Sequence, residues 1–155
     1  MFQYEITYYI IAIILGVLLL WILFCIIAHN RRHQKYLNST LSDLDHLTGE
    51  EFENYLQEIF IELGYSAKTT PKSHDYGADL IINKHDIKTV VQAKRYKGNV
   101  GIAAIQQIIG AKAFYKADEC MVVTNQYFTA SAKKLAQANR VKLMDRNDLY
   151  KISKK

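Results

Sequence analysis

The run from Ile6 to Ala28 constrains this chain most: 23 residues without a charge, of which only Thr7 and Gly16 fall outside the apolar set. As a helix rising about 1.5 Å per residue it reaches roughly 34 Å, enough to cross a hydrocarbon core of about 30 Å and longer than a buried core helix needs. A cleaved secretory leader opens on basic residues and ends at small ones. Here Met1 to Glu5 holds no Lys or Arg and the run closes on Cys25-Ile26-Ile27-Ala28, so it reads as an uncleaved anchor. Arg31, Arg32 and Lys35 follow it, against a lone Glu5 on the other flank. The positive-inside bias then places the N-terminus outside and the rest of the chain in the cytoplasm. No second long apolar run follows, which excludes a polytopic protein.

Composition matters mainly for what lies beyond this run. The full chain of 155 residues carries 20 Lys+Arg against 15 Asp+Glu, a formal charge of +5. Residues 36–155 hold 17 positives against 14 negatives, so that part is only mildly basic and its charge alone does not identify a nucleic-acid partner. Its apolar fraction is ordinary for a globular domain, and its length suits one compact core. Cys25 lies in the apolar run and Cys120 in an expected buried strand, so no disulfide is expected, as suits a reducing compartment. There is no Cys-x-x-Cys, no metal-spaced Cys/His pair, no Gly-x-Gly-x-x-Gly and no Walker-type phosphate loop, which removes the usual support for zinc or nucleotide binding.

The chain divides into a tail at 1–5, a transmembrane helix at 6–28, a basic juxtamembrane stretch and linker at 29–47, and a domain at 48–152. The polar link Tyr36 to Leu47 keeps that domain within roughly 40 Å of the bilayer. Thr48 and Glu51 form a capping box ahead of Phe52, Leu56, Ile59, Phe60 and Leu63, apolar residues at helical spacing, and Gly64 is a natural terminator. Strands are expected at Tyr65–Thr70, Ala78–Ile82 and Lys88–Lys94. A helix at Ile102–Tyr115, a buried strand at Cys120–Thr124, a helix at Ala130–Ala138 and a short strand at Val141–Met144 complete the order. The expectation is an α/β domain, α-β-β-β-α-β-α-β, with a mixed sheet flanked by helices.

The second and third strands enclose a polar turn, Asn83-Lys84-His85-Asp86. If Lys84 pairs with Ile87, Asp79 falls opposite Gln92 at the open end of the hairpin, and strand alternation puts Gln92 and Lys94 on one face with Ala93 turned away. Thr89-Val90-Val91 is otherwise apolar and β-branched, so Gln92 and Lys94 end a strand that reads as buried. Polar groups there need partners or a task.

Asp75-Tyr-Gly77-Ala-Asp79 followed by Gln92-Ala-Lys94-Arg-Tyr resembles the Mrr-type restriction endonuclease catalytic domain, a branch of the PD-(D/E)xK nucleases. The resemblance runs in order from Phe52-Glu53 and Leu63-Gly64-Tyr65 through Gln106, Gly110, Val122-Val-Thr124, Phe128-Thr129-Ala130 and Leu143-Met-Asp145 to Leu149, over roughly residues 47 to 152. It implies a restriction-endonuclease-like fold and hydrolysis of DNA phosphodiester bonds with Mg²⁺, or Mn²⁺ in its place. Asp79 is the first metal ligand in this reading, with Glu53 and Gln92 beside it, Gln92 standing where many relatives have Glu or Asp. Lys94 would position or deprotonate the attacking water and stabilise phosphorane charge. Gln106 orients Lys94 or contacts phosphate. Asp75 belongs to the pattern, with a turn role beside Gly77. Arg95, Tyr96 and Lys97 line a phosphate path or form a solvated strand exit. Thr124 contacts the nucleic-acid backbone or caps the next helix. His46, His74 and His85 read as surface residues.

The function implied is a membrane-anchored restriction nuclease acting on DNA as foreign-DNA defence. The alternative is a weak or inactive nuclease-fold module that binds nucleic acid or a protein partner at the membrane. A homodimer for double-strand cleavage and a separate recognition subunit are the further partners implied.

Overall fold

The structure is a computed structural model that describes residues 2–37, 41–71 and 76–153. It separates into two compact units, one ending at Tyr36 and one starting at Leu37. Helix α1, Phe2–Leu37, makes up the first unit, its last residue counting with the second. Its stretch Tyr9–Ala28 is long and apolar enough to cross a membrane, and none of it is buried within the protein.

The second unit begins earlier than its patterning suggests. A short helix, α2 at Leu41–Leu44, occupies part of the expected linker, and Leu44 is fully buried. Helix α3 follows at Gly49–Glu62, opened by the capping box: the Glu51 N–H donates to Thr48 Oγ1 (3.2 Å) and the Thr48 N–H to Glu51 Oε2 (2.8 Å). Its end is a Schellman turn, with Gly64 at φ +81° and the Tyr65 N–H reaching back to the Phe60 carbonyl (2.9 Å). Phe52, Leu56, Ile59 and Phe60 form the buried face, and burial pushes the neighbouring Tyr55 phenol up to about 12.

The strands are β1 Ser66–Thr69, β2 Leu80–Lys84, β3 Ile87–Lys94, β4 Glu119–Thr124 and β5 Lys142–Met144, joined in the order β1-β2-β3-β4-β5. β1, β2 and β3 are antiparallel neighbours, whereas β3, β4 and β5 run parallel. The hairpin register is the expected one, Lys84 opposite Ile87 and Leu80 opposite Val91. His85 and Asp86 turn it with φ of 51° and 62°, the left-handed pair of a two-residue hairpin whose twist suits the strands. β2 itself starts two residues later than expected, because Ala78 and Asp79 remain in the turn-rich approach; Thr70 holds them through its N–H to the Asp79 carbonyl (2.9 Å) and its hydroxyl to the Ala78 carbonyl (2.6 Å).

Helices α4, Ile102–Phe114, and α5, Ala130–Ala138, form the crossovers between the parallel strands. Their residues Ile105, Ile108, Ala132 and Ala136 share one core with Val90 and Val122 of the sheet. Strand alternation turns Val91 the other way, toward the face that α3 covers. A last helix not expected from the sequence, α6 at Arg146–Ser153, buries Leu149.

Candidate active site

Because β3 and β4 are parallel, their carboxyl ends emerge together, with Lys94 beside Thr124. Open α/β sheets place ligands at this end. Four of the residues singled out from the sequence gather here. Asp79, half-buried, reaches across the hairpin: its Oδ2 accepts from the Ala93 N–H (2.7 Å), between Gln92 and Lys94. Its own N–H donates to the Val91 carbonyl (2.8 Å), just beyond the last pair of the hairpin ladder, Leu80 with Val91.

Gln92 is only 2 % exposed. Its Nε2 donates to Gln107 Oε1 on α4 (2.8 Å), while its Oε1 is buried without a hydrogen-bond partner. Buried acceptors are normally satisfied, so an orphaned amide oxygen is available as an oxygen ligand for a hard divalent cation. Among the described residues no three His, Cys, Asp or Glu side chains come together as a metal cluster. The hard oxygen donors that this end of the sheet offers are the Asp79 carboxylate and the Gln92 amide oxygen. The side chain of Lys94, half-buried at the end of β3, has no hydrogen-bond or ion-pair partner among the described residues.

Thr124 is fully buried; its hydroxyl donates to the Lys94 carbonyl (2.7 Å) and accepts from the Gln126 N–H (3.2 Å). The capping role considered for it belongs to Thr129, whose hydroxyl oxygen accepts from the Ala132 N–H (3.1 Å) at the start of α5. Glu53 is half-buried on α3, and Gln106 is exposed on α4, one residue before the glutamine that bonds Gln92. Arg95 is half-buried with a buried Nε lacking a partner, whereas Tyr96 and Lys97 are exposed. Gly77 sits at φ +88°, and a Cβ there would approach the Gln107 carbonyl oxygen at 3.1 Å, so glycine permits close packing of the approach to Asp79 against α4. His46 and His85 are exposed; Asp75 and His74 lie outside the described residues.

A second set, not singled out from the sequence, holds the β3 exit in place. Asn125, buried at the end of β4, accepts from the Tyr96 N–H at Oδ1 (2.9 Å) and donates to the Tyr96 carbonyl (3.1 Å) and to Asp45 Oδ1 (2.8 Å). Arg146 meets both Asp45 oxygens (2.7 and 2.9 Å) and donates to the Asn125 carbonyl (2.8 Å). The Arg146 hydrogen bond holds the Asp45 carboxyl below its ordinary range against the opposing effect of burial, and raises Arg146 in turn. The only sequence signal was position: an acid directly after a buried leucine and an arginine directly after Leu143-Met-Asp145. Their partnership spans 101 residues and has no local pattern.

A mixed sheet with an acid at the hairpin mouth and a Gln-x-Lys strand end is what the resemblance noted in the sequence implies. The Mrr catalytic-domain family, described as restriction endonuclease, matches residues 44–153, and the chain belongs to this family. The type IV methyl-directed restriction enzyme EcoKMrr of Escherichia coli K12 is 28% identical over 109 residues, covering 65% of this chain. The chain spans about a third, 36%, of that relative's length. Two solved structures share the fold. A protein of unknown function, AF1548, has a TM-score of 0.51 at 16% identity, over 60% of this chain and 55% of its own. The MspJI restriction endonuclease, solved with a 27-mer oligonucleotide, has a TM-score of 0.50 at 18% identity, over 65% of this chain and 26% of its own.

Proposed function

We propose that this chain is a membrane-anchored, divalent-metal-dependent DNA endonuclease of restriction type. The observation that carries the reading is the orphaned Gln92 Oε1, buried on β3 next to Ala93, whose N–H meets the Asp79 carboxylate, and two residues before Lys94, whose side chain is unpaired among the described residues. Asp79, Gln92 and Glu53 would hold Mg²⁺ or Mn²⁺, which when bound supplies positive charge against the scissile phosphate. Lys94 would position the attacking water, which gives up a proton as the new P–O bond forms, and would stabilise the negative charge that grows on the phosphoryl oxygens, while the ester P–O bond breaks and the leaving oxygen takes a proton from solvent. Arg95 and Lys97 follow the phosphate backbone, Gln106 contacts phosphate from α4, and Thr124 acts from beneath by fixing the Lys94 carbonyl.

The span Tyr9–Ala28 anchors the enzyme, with the nuclease domain on the cytoplasmic side. A second copy supplies the second cut in duplex DNA, and a separate recognition subunit selects the sequence. The full chain in detergent micelles, given plasmid DNA and Mg²⁺ or Mn²⁺, should nick or linearise it, and Asp79→Ala and Lys94→Ala should not. Salt-dependent DNA binding without cleavage under any of these metals would instead identify a non-cleaving module. A reporter fused after Lys155 that works only in an oxidising compartment would overturn the topology.

A further inference from the structure

Gln107 is not among the residues singled out from the sequence, yet its side chain bonds that of Gln92. An amide side chain has a donor end and an acceptor end, and which of them faces a site depends on what meets the other. Gln107 presents its carbonyl Oε1 at 2.8 Å, and a carbonyl can meet only the NH₂ end of Gln92. The Gln92 carbonyl is thereby turned away from α4 and left buried without a partner. Gly77 approaches the root of the Gln107 side chain closely: a Cβ added at Gly77 would lie 3.2 Å from Gln107 Cβ and 3.1 Å from the Gln107 backbone carbonyl oxygen. The segment that delivers Asp79, two residues further on, is thus packed against the residue that orients Gln92.

We infer that Gln107 is a positioning residue that sets the Gln92 amide with its oxygen toward the divalent cation. The inference rests on the metal-dependent reading above. It explains how a neutral residue can stand where an acid would need no orienting: a carboxylate offers oxygen in both orientations, whereas an amide offers it in only one.

The test is a double-mutant cycle on the full chain in detergent, read by Mn²⁺ affinity from calorimetric titration without DNA, with thermal midpoints recorded alongside. Gln107→Lys places a donor opposite Gln92 and favours the reversed amide; Mn²⁺ affinity should fall about tenfold or more, the scale of losing an outer partner of a metal ligand. Lysine also adds a positive charge, and the cycle separates the two effects. In a Gln92→Glu background the charge remains but orientation no longer matters, so the same Gln107→Lys change should cost far less. Gln107→Glu, which keeps an acceptor, should retain Mn²⁺ binding. An equal Gln107→Lys penalty in both backgrounds, or no penalty in either while Asp79→Ala abolishes binding, would overturn the positioning role and leave the nuclease reading standing. Absence of any Asp79-dependent Mn²⁺ binding in the wild-type chain would overturn the parent reading, and this inference with it.

Discussion

The two ends of the sheet differ in how their polar groups are treated. At the hairpin end, Lys84 donates to the Leu63 carbonyl (2.7 Å) and lies over the Tyr65 ring, and Lys88 donates to the Tyr115 carbonyl (2.8 Å). Glu119 accepts from both Thr89 and Lys142. At the opposite end, where β3 and β4 finish, the Gln92 oxygen and the Arg95 Nε are buried without partners and Lys94 is unpaired among the described residues. Both ends are rich in lysine, so composition does not distinguish them. A satisfied polar group holds structure together, whereas an unsatisfied one costs stability and persists where it has another task.

That contrast can be broken by substitution, most severely at the unsatisfied end. Lys94→Ala should lower DNA cleavage by about 10²-fold or more in an initial-rate assay, while the thermal midpoint stays close to wild type because no partner is lost. Breaking the brace beside it should act in the opposite way. Asp45→Ala leaves the Arg146 guanidinium and the Asn125 amide short of a partner, and urea unfolding should show a loss of about 2 kcal/mol, trimmed by the partial exposure of the pair. The pH dependence has a definite sign. The Asp45 carboxyl is held below its ordinary value of 3.8, so its stabilisation is complete above that value and disappears as pH falls through the lowered one. The stability gap between wild type and Asp45→Ala should therefore close in acid.

Gln92→Leu sharpens the comparison further. It removes the orphaned acceptor at similar volume, so the variant should be more stable by about 1 kcal/mol in urea unfolding while losing cleavage. A loss of stability instead would mean that Gln92 is a structural residue. The smallest effect belongs to the satisfied end. Lys142→Ala removes an exposed ion pair with Glu119, and both unfolding and cleavage should stay within about 1 kcal/mol of wild type.

Much of this was legible locally. The capping box at Thr48, the terminator at Gly64 and the span of α5 follow from rules that act within a few residues, and the structure reproduces them. The hairpin register follows from pairing Lys84 with Ile87, and the ladder runs in that register as far as Leu80 opposite Val91; Asp79, just beyond it, bonds the Val91 carbonyl and the Ala93 N–H on either side of Gln92. Helices α2 and α6 were missed for a common reason. Each is short, and each is held by distant contacts: Leu44 by burial, Arg146 by the Asp45 carboxylate and the Asn125 carbonyl. Gln107 was passed over for Gln106 because the family pattern and helical spacing do not report which of two adjacent glutamines faces β3.

By itself, the sequence determined that one helix is long and apolar enough to cross a membrane, that an α/β domain with a mixed sheet follows it, and that Asp79 stands at the mouth of the hairpin whose strand β3 carries Gln92 and Lys94. These depend on period, length and pairing between neighbours in the chain. Only the tertiary structure decided which amide end of Gln92 is satisfied, which glutamine satisfies it, and how Asp45, Asn125 and Arg146 brace the strand exit. Those are matters of hydrogen-bond direction between residues far apart in sequence, and a donor or acceptor acquires its direction only when the chain has folded around it.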